Sequence, residues 1–381
     1  MESGRFINFL GKLGVAFYVG VPDSQLKSFI NQLVVTLGIN TEKHIIAANE
    51  GNAVAIAAGY HLATGEVACV YLQNSGLGNI FNPATSLISR RVYSIPCVFV
   101  IGWRGKPGVP DEPQHVHQGQ ITQETLKLLD IDQFIISEHT KETEIEEQLE
   151  RFQDRLRSGA SIAFIVDKGG LSSDASPDYK NHYSARRENI IEGIVRHAQG
   201  DLIVATTGKT SRELFEIRER NNQPHDCDFL TVGSMGHCSS VALGIALNIR
   251  KKRVWCIDGD GAALMHMGAM TSIGACAPSN LVHILINNEA HESVGGQPTL
   301  ASRIDFCTIA KGCNYASIES AGSIEELETI LQKLDHMIGP VFIEVMTAIG
   351  SRHSLGRPTI SPIENKKEFM QRIRMTSKCG H

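Results

Sequence analysis

The segment Val254-Trp255-Cys256-Ile257-Asp258-Gly259-Asp260-Gly261 ends an apolar run with a carboxylate between two glycines. A second apolar run, Leu281 to Ile286, ends in the pair Asn287-Asn288. The 25 residues between the last of these glycines and the asparagine pair are enough for a helix that connects two parallel strands. Parallel strands place their carboxyl ends at one edge of a sheet, where α/β proteins bind ligands. The sequence therefore predicts that Asp260 and Asn288 lie together at such an edge.

The oxygen atoms of these two side chains suggest a metal site. A carboxylate from Asp260 and an amide oxygen from Asn288 are hard ligands, which suit Mg²⁺ that carries phosphates. The backbone carbonyl of Ala290, a water and two diphosphate oxygens would complete an octahedron. The flanking Gly259 and Gly261 let a backbone approach a ligand closely. The alternative is a tight glycine turn and an unrelated asparagine turn, but the agreement of order, spacing and position favours a metal–diphosphate site.

The composition indicates a globular protein without a nucleic-acid or membrane function. The chain has 381 residues, of which 42% are hydrophobic and 20% charged, and its formal net charge is −5. This balance gives no reason to expect nucleic-acid binding, and no apolar run is long enough to span a membrane. Nine cysteines without a CxxC pair argue against a disulfide framework. We expect a cytoplasmic protein with reduced cysteines.

Strand-like and helix-like runs alternate along the whole chain, which is typical of an α/β fold. Residues 1–170 and 187–381 each form one such series, and residues 171–186, rich in Gly, Ser, Asp and Pro, form the predicted linker. The predicted strands are 16–21, 44–48, 67–73, 96–102, 134–137, 161–167, 202–206, 228–232, 253–257, 281–286, 315–318 and 341–346. We therefore predict two domains, each a mostly parallel sheet flanked by helices.

A second candidate carboxylate lies in the first domain. Asn49-Glu50-Gly51-Asn52-Ala53 follows a predicted strand and opens an Ala-rich helix. Alone, Glu50 is explained as an acidic residue that is favoured in a first helical turn.

The two motifs together resemble those of the thiamine diphosphate-dependent 2-oxoacid decarboxylases. Within that group the chain is most similar to the phosphonopyruvate decarboxylases, and next to the sulfopyruvate decarboxylases. The supporting segments are 20–24, 49–53, 111–115, 206–210, 233–237, 287–293 and 355–358. Larger members carry a middle domain, in place of which this chain has only the short linker. The cofactors implied are thiamine diphosphate and Mg²⁺.

The resemblance implies a mechanism. Glu50 would hydrogen-bond and protonate the aminopyrimidine ring, whose imino form removes the thiazolium C2 proton to give an ylid. The ylid adds to the 2-oxoacid, CO₂ leaves, and protonation of the resulting enamine releases an aldehyde. His115, which we place in a loop with His117 after the fourth strand, is the candidate proton donor because histidine titrates near neutrality. A loop histidine bound only to water is the alternative.

Further cofactor contacts are expected from three loops. Met235, beside Ser234, matches the large apolar residue that holds the cofactor bent, although a core methionine is the alternative. Thr207-Gly208-Lys209-Thr210 lacks the first glycine of a nucleotide-binding P-loop, yet its N–H groups could bind the diphosphate. Ala262 and His291 lie next to the metal motif and are also candidates.

The substrate would be a small anionic 2-oxoacid. A phosphonate or sulfonate beside a carboxylate needs Arg, Lys or hydroxyl donors. The candidates are Ser24, Arg104, Lys106, Arg352 and Arg357, and for each basic residue a solvated surface charge is the alternative.

The function expected from the resemblance is non-oxidative decarboxylation of 3-phosphonopyruvate to phosphonoacetaldehyde and CO₂. Sulfopyruvate decarboxylation and thiamine-dependent carboligation of 2-oxoacids are the alternatives, and the presence of Glu50 argues against a protein that only binds the cofactor. The resemblance also implies a homo-oligomer of at least two subunits with active sites at the interface.

Overall fold

The computed structural model describes residues 1–378, with side chains to Met375. The chain divides into two compact units after Asp178, a point that lies inside the predicted linker. Within the described residues, no helix combines the length and apolar character that a membrane crossing would need.

The first unit contains a six-stranded, fully parallel sheet with the strand order β2-β1-β3-β4-β6-β5. The strands are β1 Val15–Gly20, β2 His44–Ile46, β3 Val67–Gln73, β4 Cys97–Gly102, β5 Asp132–Ile136 and β6 Ile162–Val166. The helices are α1 Ser3–Lys12, α2 Lys27–Leu37, α3 Glu50–Thr64, α4 Leu77–Thr85, α5 Pro113–Leu128, α6 Glu142–Glu146 and α7 Leu149–Arg157.

The strands of this sheet are apolar on both faces because helices cover both. All residues of β4 and β6 are buried, as is expected of central parallel strands. Alternate residues belong to different cores: Val19 packs with α3 and α4, whereas Tyr18 packs with α1 and α2. The helices on the two faces do not cover the carboxyl ends of the strands, where the loops carry polar residues.

The second unit repeats this architecture with the strand order β11-β12-β10-β9-β7-β8. The strands are β7 Leu202–Ala205, β8 Asp228–Leu230, β9 Val254–Gly259, β10 Leu281–Asn287, β11 Ser317–Ala321 and β12 Val341–Met346. The helices are α8 Arg187–His197, α9 Lys209–Arg220, α10 Cys238–Asn248, α11 Asp260–Met265, α12 Ala269–Cys276, α13 Phe306–Gly312, α14 Ile324–Gln332 and α15 Pro362–Lys378.

All twelve predicted strands are present, with ends that differ by a few residues, so the predicted α/β class, with two mostly parallel sheets flanked by helices, is confirmed. One prediction was wrong: the segment that carries His115 and His117 is not a loop but the start of α5. Pro113 occupies the first turn of this helix, where a missing N–H and a fixed φ favour helix initiation. A proline was therefore taken as a sign of a loop where it starts a helix.

Candidate active site

The carboxyl ends of β9 and β10 form the centre of the site in the second unit. The two strands pair in parallel with Ile286 opposite Gly259, as the spacing predicts. Asp260 is therefore the first residue of α11, and Asn288 is the first residue after β10. One residue beyond Gly259 and two residues beyond Ile286, the chain supplies a carboxylate after one strand and an amide after its neighbour.

Asp260 is a buried carboxylate with a single side-chain hydrogen bond. Its exposed fraction is 4%, and the Thr299 hydroxyl donates to Oδ2 at 2.6 Å. Burial raises the pKa of Asp260 to about 7, and the negative charge of Glu289 acts in the same direction. A carboxylate in this setting is costly to ionise without a cation, which is what a divalent metal ion would supply.

Asn288 is held by its own loop. Its Oδ1 accepts a hydrogen bond from the Ala290 N–H at 3.1 Å, and its Nδ2 donates to Glu292 Oε2 at 2.9 Å. The intervening Glu289 has φ of +59°, a left-handed conformation that is uncommon for a non-glycine residue. The loop therefore fixes the amide, and its oxygen retains a lone pair for a ligand.

Two other loops lie against this pair. A methyl carbon built on Gly261 would lie 3.2 Å from His291 Nδ1 and 3.4 Å from the Met235 methyl carbon. Thr207 Oγ1 accepts a hydrogen bond from the Gly233 N–H at 3.1 Å, which joins the loops after β7 and β8. The structure thus brings together the predicted contacts that follow β7, β8, β9 and β10. Ser234, with φ of +46°, belongs to the same turn as Met235.

The Lys209 ammonium group is not a free cation. It donates to Glu292 Oε1 at 2.6 Å, and Arg187 donates to Glu292 Oε2 at 2.7 Å. Gly208 precedes it with φ of +96° and begins α9, so the backbone N–H groups of this turn are the donors that remain for an anion. The loop can hold a diphosphate by its backbone, while Lys209 positions Glu292.

Glu50 is the corresponding buried carboxylate of the first unit. It is the first residue of α3, is 5% exposed, and accepts a hydrogen bond from Asn79 Nδ2 to Oε2 at 2.6 Å. Burial raises its pKa above the usual range for glutamate. A methyl carbon built on Gly76 would lie 2.5 Å from Glu50 Oε1, so this glycine leaves the space that the carboxylate occupies.

Asn79 and Gly76 are contacts that the sequence interpretation missed. Both belong to the segment Asn74-Ser75-Gly76-Leu77-Gly78-Asn79, which follows β3. The signal was present, because a run of glycine and asparagine after a buried strand is the pattern used to identify the other loops. What the sequence lacked was the strand order, in which β1 lies between β2 and β3.

Three predicted residues of the first unit meet near the end of β4. Arg104 donates from Nη1 to Ser24 Oγ at 3.2 Å and from Nε to Asp111 Oδ2 at 2.8 Å. Burial and the charge of Arg104 lower the pKa of His115 to about 4, so its imidazole is neutral at pH 7. Its Nδ1 is buried and has no hydrogen-bond partner within the described part of the chain. The cluster offers a serine hydroxyl, a guanidinium and a neutral imidazole.

The remaining basic candidates are placed differently. Lys106 forms an ion pair with Asp167. Arg352 pairs with Glu188 and Glu216, and it lines a cleft of about 420 Å³ with Lys209. Arg357 is exposed. Arg104 is the predicted cation with the clearest position beside other candidate site residues.

Comparisons with known proteins agree with this arrangement. Residues 4–126 match the family model "Thiamine pyrophosphate enzyme, N-terminal TPP binding domain", and residues 206–345 match "Thiamine pyrophosphate enzyme, C-terminal TPP binding domain". The chain is 34% identical to the phosphonopyruvate decarboxylase of Streptomyces hygroscopicus, over 94% of this chain and 90% of that protein. It is also 34% identical to the phosphonopyruvate decarboxylase of Streptomyces viridochromogenes, over 94% and 91% of the two chains. The sulfopyruvate decarboxylase of Methanosarcina acetivorans is 28% identical over 97% of both.

Proposed function

The chain belongs to the thiamine pyrophosphate enzymes, and on that premise we propose that it converts 3-phosphonopyruvate to phosphonoacetaldehyde and CO₂ without oxidation. The observation that carries this proposal is the 34% identity to a phosphonopyruvate decarboxylase over 94% of the chain. The cofactor is thiamine diphosphate, the same compound as thiamine pyrophosphate.

The residues of the second unit fit a magnesium-bound diphosphate. Asp260 is a buried carboxylate whose pKa is raised to about 7, and its charged neighbour Glu289 is another acid. A divalent cation would offset both effects. Asp260, the amide oxygen of Asn288 and the backbone carbonyl of Ala290 would hold Mg²⁺, and the turn that contains Gly208 would bind the diphosphate.

Glu50 fits the pyrimidine ring of the cofactor. Bound thiamine diphosphate would supply an electron sink for the carbanion that loss of CO₂ creates. Glu50 is buried and has a raised pKa, so it can hold a proton and share it with a ring nitrogen. Asn79 fixes one carboxylate oxygen at 2.6 Å and leaves the other beside Gly76, where no side chain competes for it.

Ser24, Arg104 and His115 are the proposed groups for the substrate. Asp111 accepts hydrogen bonds from Nε and Nη2 of Arg104, and the Nη1 group lies beside the Ser24 hydroxyl, which gives a donor pair suited to a phosphonate. The neutral His115 can donate from one ring nitrogen and accept at the other, which suits delivery of a proton to the product carbon. Arg352 and Arg357 are not included in this group, since Arg352 is paired with Glu188 and Glu216 and Arg357 is exposed.

Sulfopyruvate is the second candidate substrate. Its support is the similarity to a sulfopyruvate decarboxylase over 97% of both chains, at the lower identity of 28%. A sulfonate carries one negative charge fewer than a fully ionised phosphonate and presents a similar tetrahedral oxygen surface. The two substrates would therefore use the same donors.

The test is CO₂ release by the purified protein with saturating Mg²⁺ and thiamine diphosphate. We expect the highest kcat/KM with 3-phosphonopyruvate, a lower value with sulfopyruvate, and at least about a 100-fold lower value with pyruvate, which leaves the anion donors unpaired. The released aldehyde is measured in parallel with a coupled alcohol dehydrogenase. A higher kcat/KM with sulfopyruvate would make sulfopyruvate the substrate in place of 3-phosphonopyruvate. A condensed product in place of free aldehyde would indicate a carboligase.

We also propose that the protein is a homo-oligomer of at least two subunits. Large apolar side chains are exposed in the single chain, among them Leu62, Tyr93 and Leu128, which are 71%, 67% and 78% exposed. Contact with a second subunit would remove apolar surface of this kind from water. Light scattering should give at least twice the mass of 41.6 kDa. A fully active monomer would refute this proposal.

A further inference from the structure

A cluster of buried, metal-ligating side chains lies on one face of the second sheet and has no role in the proposed reaction. Cys256 and Asp258 are two residues apart on β9 and so point to the same face. His283 of β10 stands directly opposite Cys256 in the strand register. Cys238, the first residue of α10, packs onto this face. All four are at most 1% exposed.

Two separations between pairs of these side chains match those of a tetrahedral zinc site. Zinc binds sulfur at about 2.3 Å and nitrogen or oxygen at about 2.0 Å, so ligand atoms around one ion lie about 3.3–3.8 Å apart. The two sulfur atoms of Cys238 and Cys256 are 3.5 Å apart, and Asp258 Oδ2 lies 3.6 Å from His283 Nε2. One ligand atom from each of Cys256, Asp258 and His283 lies within 4.8 Å of the others, and Cys238 stands outside this group and approaches it through Cys256, so its thiolate would have to move inward to bind the same ion.

Two of these atoms lack the partner that a buried polar atom requires. Asp258 Oδ2 and His283 Nε2 form no hydrogen bond within the described part of the chain, although both are buried. The other atom of each group is fixed: the Gly259 N–H donates to Asp258 Oδ1 at 2.9 Å, and His283 Nδ1 lies 2.9 Å from the Tyr315 hydroxyl. Second contacts of this kind orient carboxylate and imidazole ligands toward a metal.

We propose that Cys238, Cys256, Asp258 and His283 bind one Zn²⁺ ion in a structural site distinct from the magnesium site. Two thiolates, an imidazole and a carboxylate are the ligand types that zinc prefers, whereas magnesium prefers oxygen alone. On binding, each cysteine thiol loses its proton to solvent, so the ion replaces two protons. A closed set of four protein ligands leaves no open position for catalysis.

The site would join three elements that carry the cofactor loops. Cys238 is three residues after Met235, and Asp258 is two residues before Asp260. Zinc would thereby fix the start of α10 to the ends of β9 and β10. We expect its removal to loosen the loops that contain Met235 and Asp260 before it unfolds the sheet.

The experiment uses the full-length protein with saturating Mg²⁺ and thiamine diphosphate, freed of other metals and titrated with Co²⁺. One equivalent of Co²⁺ should produce a thiolate-to-cobalt charge-transfer band and the intense visible bands of tetrahedral cobalt, and Zn²⁺ should abolish both. Cobalt that merely replaces magnesium at Asp260 and Asn288 has only oxygen ligands and gives neither signal. Elemental analysis after zinc loading should find about one more zinc per chain than in the same protein before loading.

Four variants assign the ligands. Cys256→Ser and His283→Gln should each weaken cobalt binding by more than about 100-fold, beyond the loss typical of an outer contact. Cys238→Ser should reduce the charge-transfer band by about half for each cobalt bound, since one thiolate of two remains. Cys97→Ser, a buried strand cysteine of the first unit, is the matched control and should bind as the wild type does.

The proposal fails if the wild-type protein gives no charge-transfer band, in which case buried water satisfies Asp258 and His283. It also fails if Cys256→Ser and His283→Gln both retain the wild-type spectrum. If either of these variants does not fold, as judged by circular dichroism, the wild-type titration and Cys238→Ser still decide the question.

Discussion

Glu50 and Asp260 occupy similar local positions in the two units, although Glu50 follows the edge strand β2 and Asp260 the interior strand β9, and they face different surroundings. Each follows a parallel strand, opens a helix, is at most 5% exposed, and accepts one side-chain hydrogen bond at 2.6 Å. Burial raises the pKa of both carboxyl groups. One physical device, a carboxylate withdrawn from water at a helix start, thus appears twice in the chain.

The neighbours of each carboxylate separate their roles. Asp260 and Asn288 follow neighbouring strands, and the acid Glu289 lies nearby. The side-chain oxygens at this position therefore favour a bound cation. Glu50 lies against Asn79 and the bare backbone of Gly76, so a proton is the charge it can exchange. Burial alone does not determine what a carboxylate does; the groups within hydrogen-bond distance do.

The largest expected effect is that of Glu50→Gln. The amide keeps the size and the contact with Asn79 but cannot exchange a proton, so kcat should fall by about 10²–10⁴-fold. The dissociation constant for Mg²⁺ and thiamine diphosphate, measured by calorimetry, should stay within a few-fold of the wild type. Equal losses in cofactor affinity and kcat would show that Glu50 serves binding and would remove the contrast with Asp260.

Asp260→Asn should have the opposite pattern. The variant loses the negative charge that a divalent cation needs, so we expect Mg²⁺ affinity to fall by more than about 100-fold. At saturating Mg²⁺ and cofactor, kcat should recover toward the wild-type value, whereas no concentration rescues Glu50→Gln. A kcat defect that persists at saturation would mean that Asp260 also takes part in the chemical step.

Thr299→Val tests the hydrogen bond to Asp260 on its own. The substitution keeps the shape of the side chain and removes the donor at 2.6 Å, so Mg²⁺ affinity should fall by about 10-fold. Asn79→Ala is the matched change beside Glu50 and should alter kcat while leaving Mg²⁺ affinity unchanged. Should both variants change the same parameter, the two carboxylates would not have separate roles.

The smallest effect concerns His115 and pH. Because the pKa of His115 is lowered to about 4, its charge should not change across the neutral range. The ratio of wild-type to His115→Asn kcat/KM should therefore be constant between about pH 5.5 and 8. In the unfolded chain His115 titrates near 6.5 and binds more protons than in the native state, so its contribution to stability falls as pH drops from about 6.5 to 4. A ratio that shifts near pH 6.5 would place an ordinary, water-exposed histidine at this position.

The strands and the carboxylates that follow them could be predicted from the sequence, because the end of a buried strand has a recognisable local pattern. The apolar run, the glycines and Asp260 stand in consecutive positions, and the same is true of the strand before Glu50. Twelve strands were predicted from runs of this kind, and each is present. A parallel strand is buried on both faces, so its hydrophobic run is almost continuous and easy to recognise.

The contacts between distant segments could not be predicted in this way. Thr299 lies 39 residues from Asp260, and Asn79 lies 29 residues from Glu50. The sequence around Thr299 or Asn79 does not indicate which residue it contacts, because the contact depends on the order of the strands in the sheet. His115 was misplaced for a different reason: Pro113 disfavours the interior of a helix but favours its first turn, and a single sequence does not separate the two.

The N-terminal segment has a consequence for how the chain is made. The Ser3 N–H donates to the Ser172 carbonyl at 2.7 Å, and the Ser172 N–H donates to the Met1 carbonyl at 2.9 Å. Residues 1–3 therefore gain these partners only when residue 172 has emerged from the ribosome. By then all six strands of the first sheet have emerged, and the strands of the second sheet, which begin at Leu202, have not. The first unit can thus complete its hydrogen bonding during translation, before the second can compete for its strand edges.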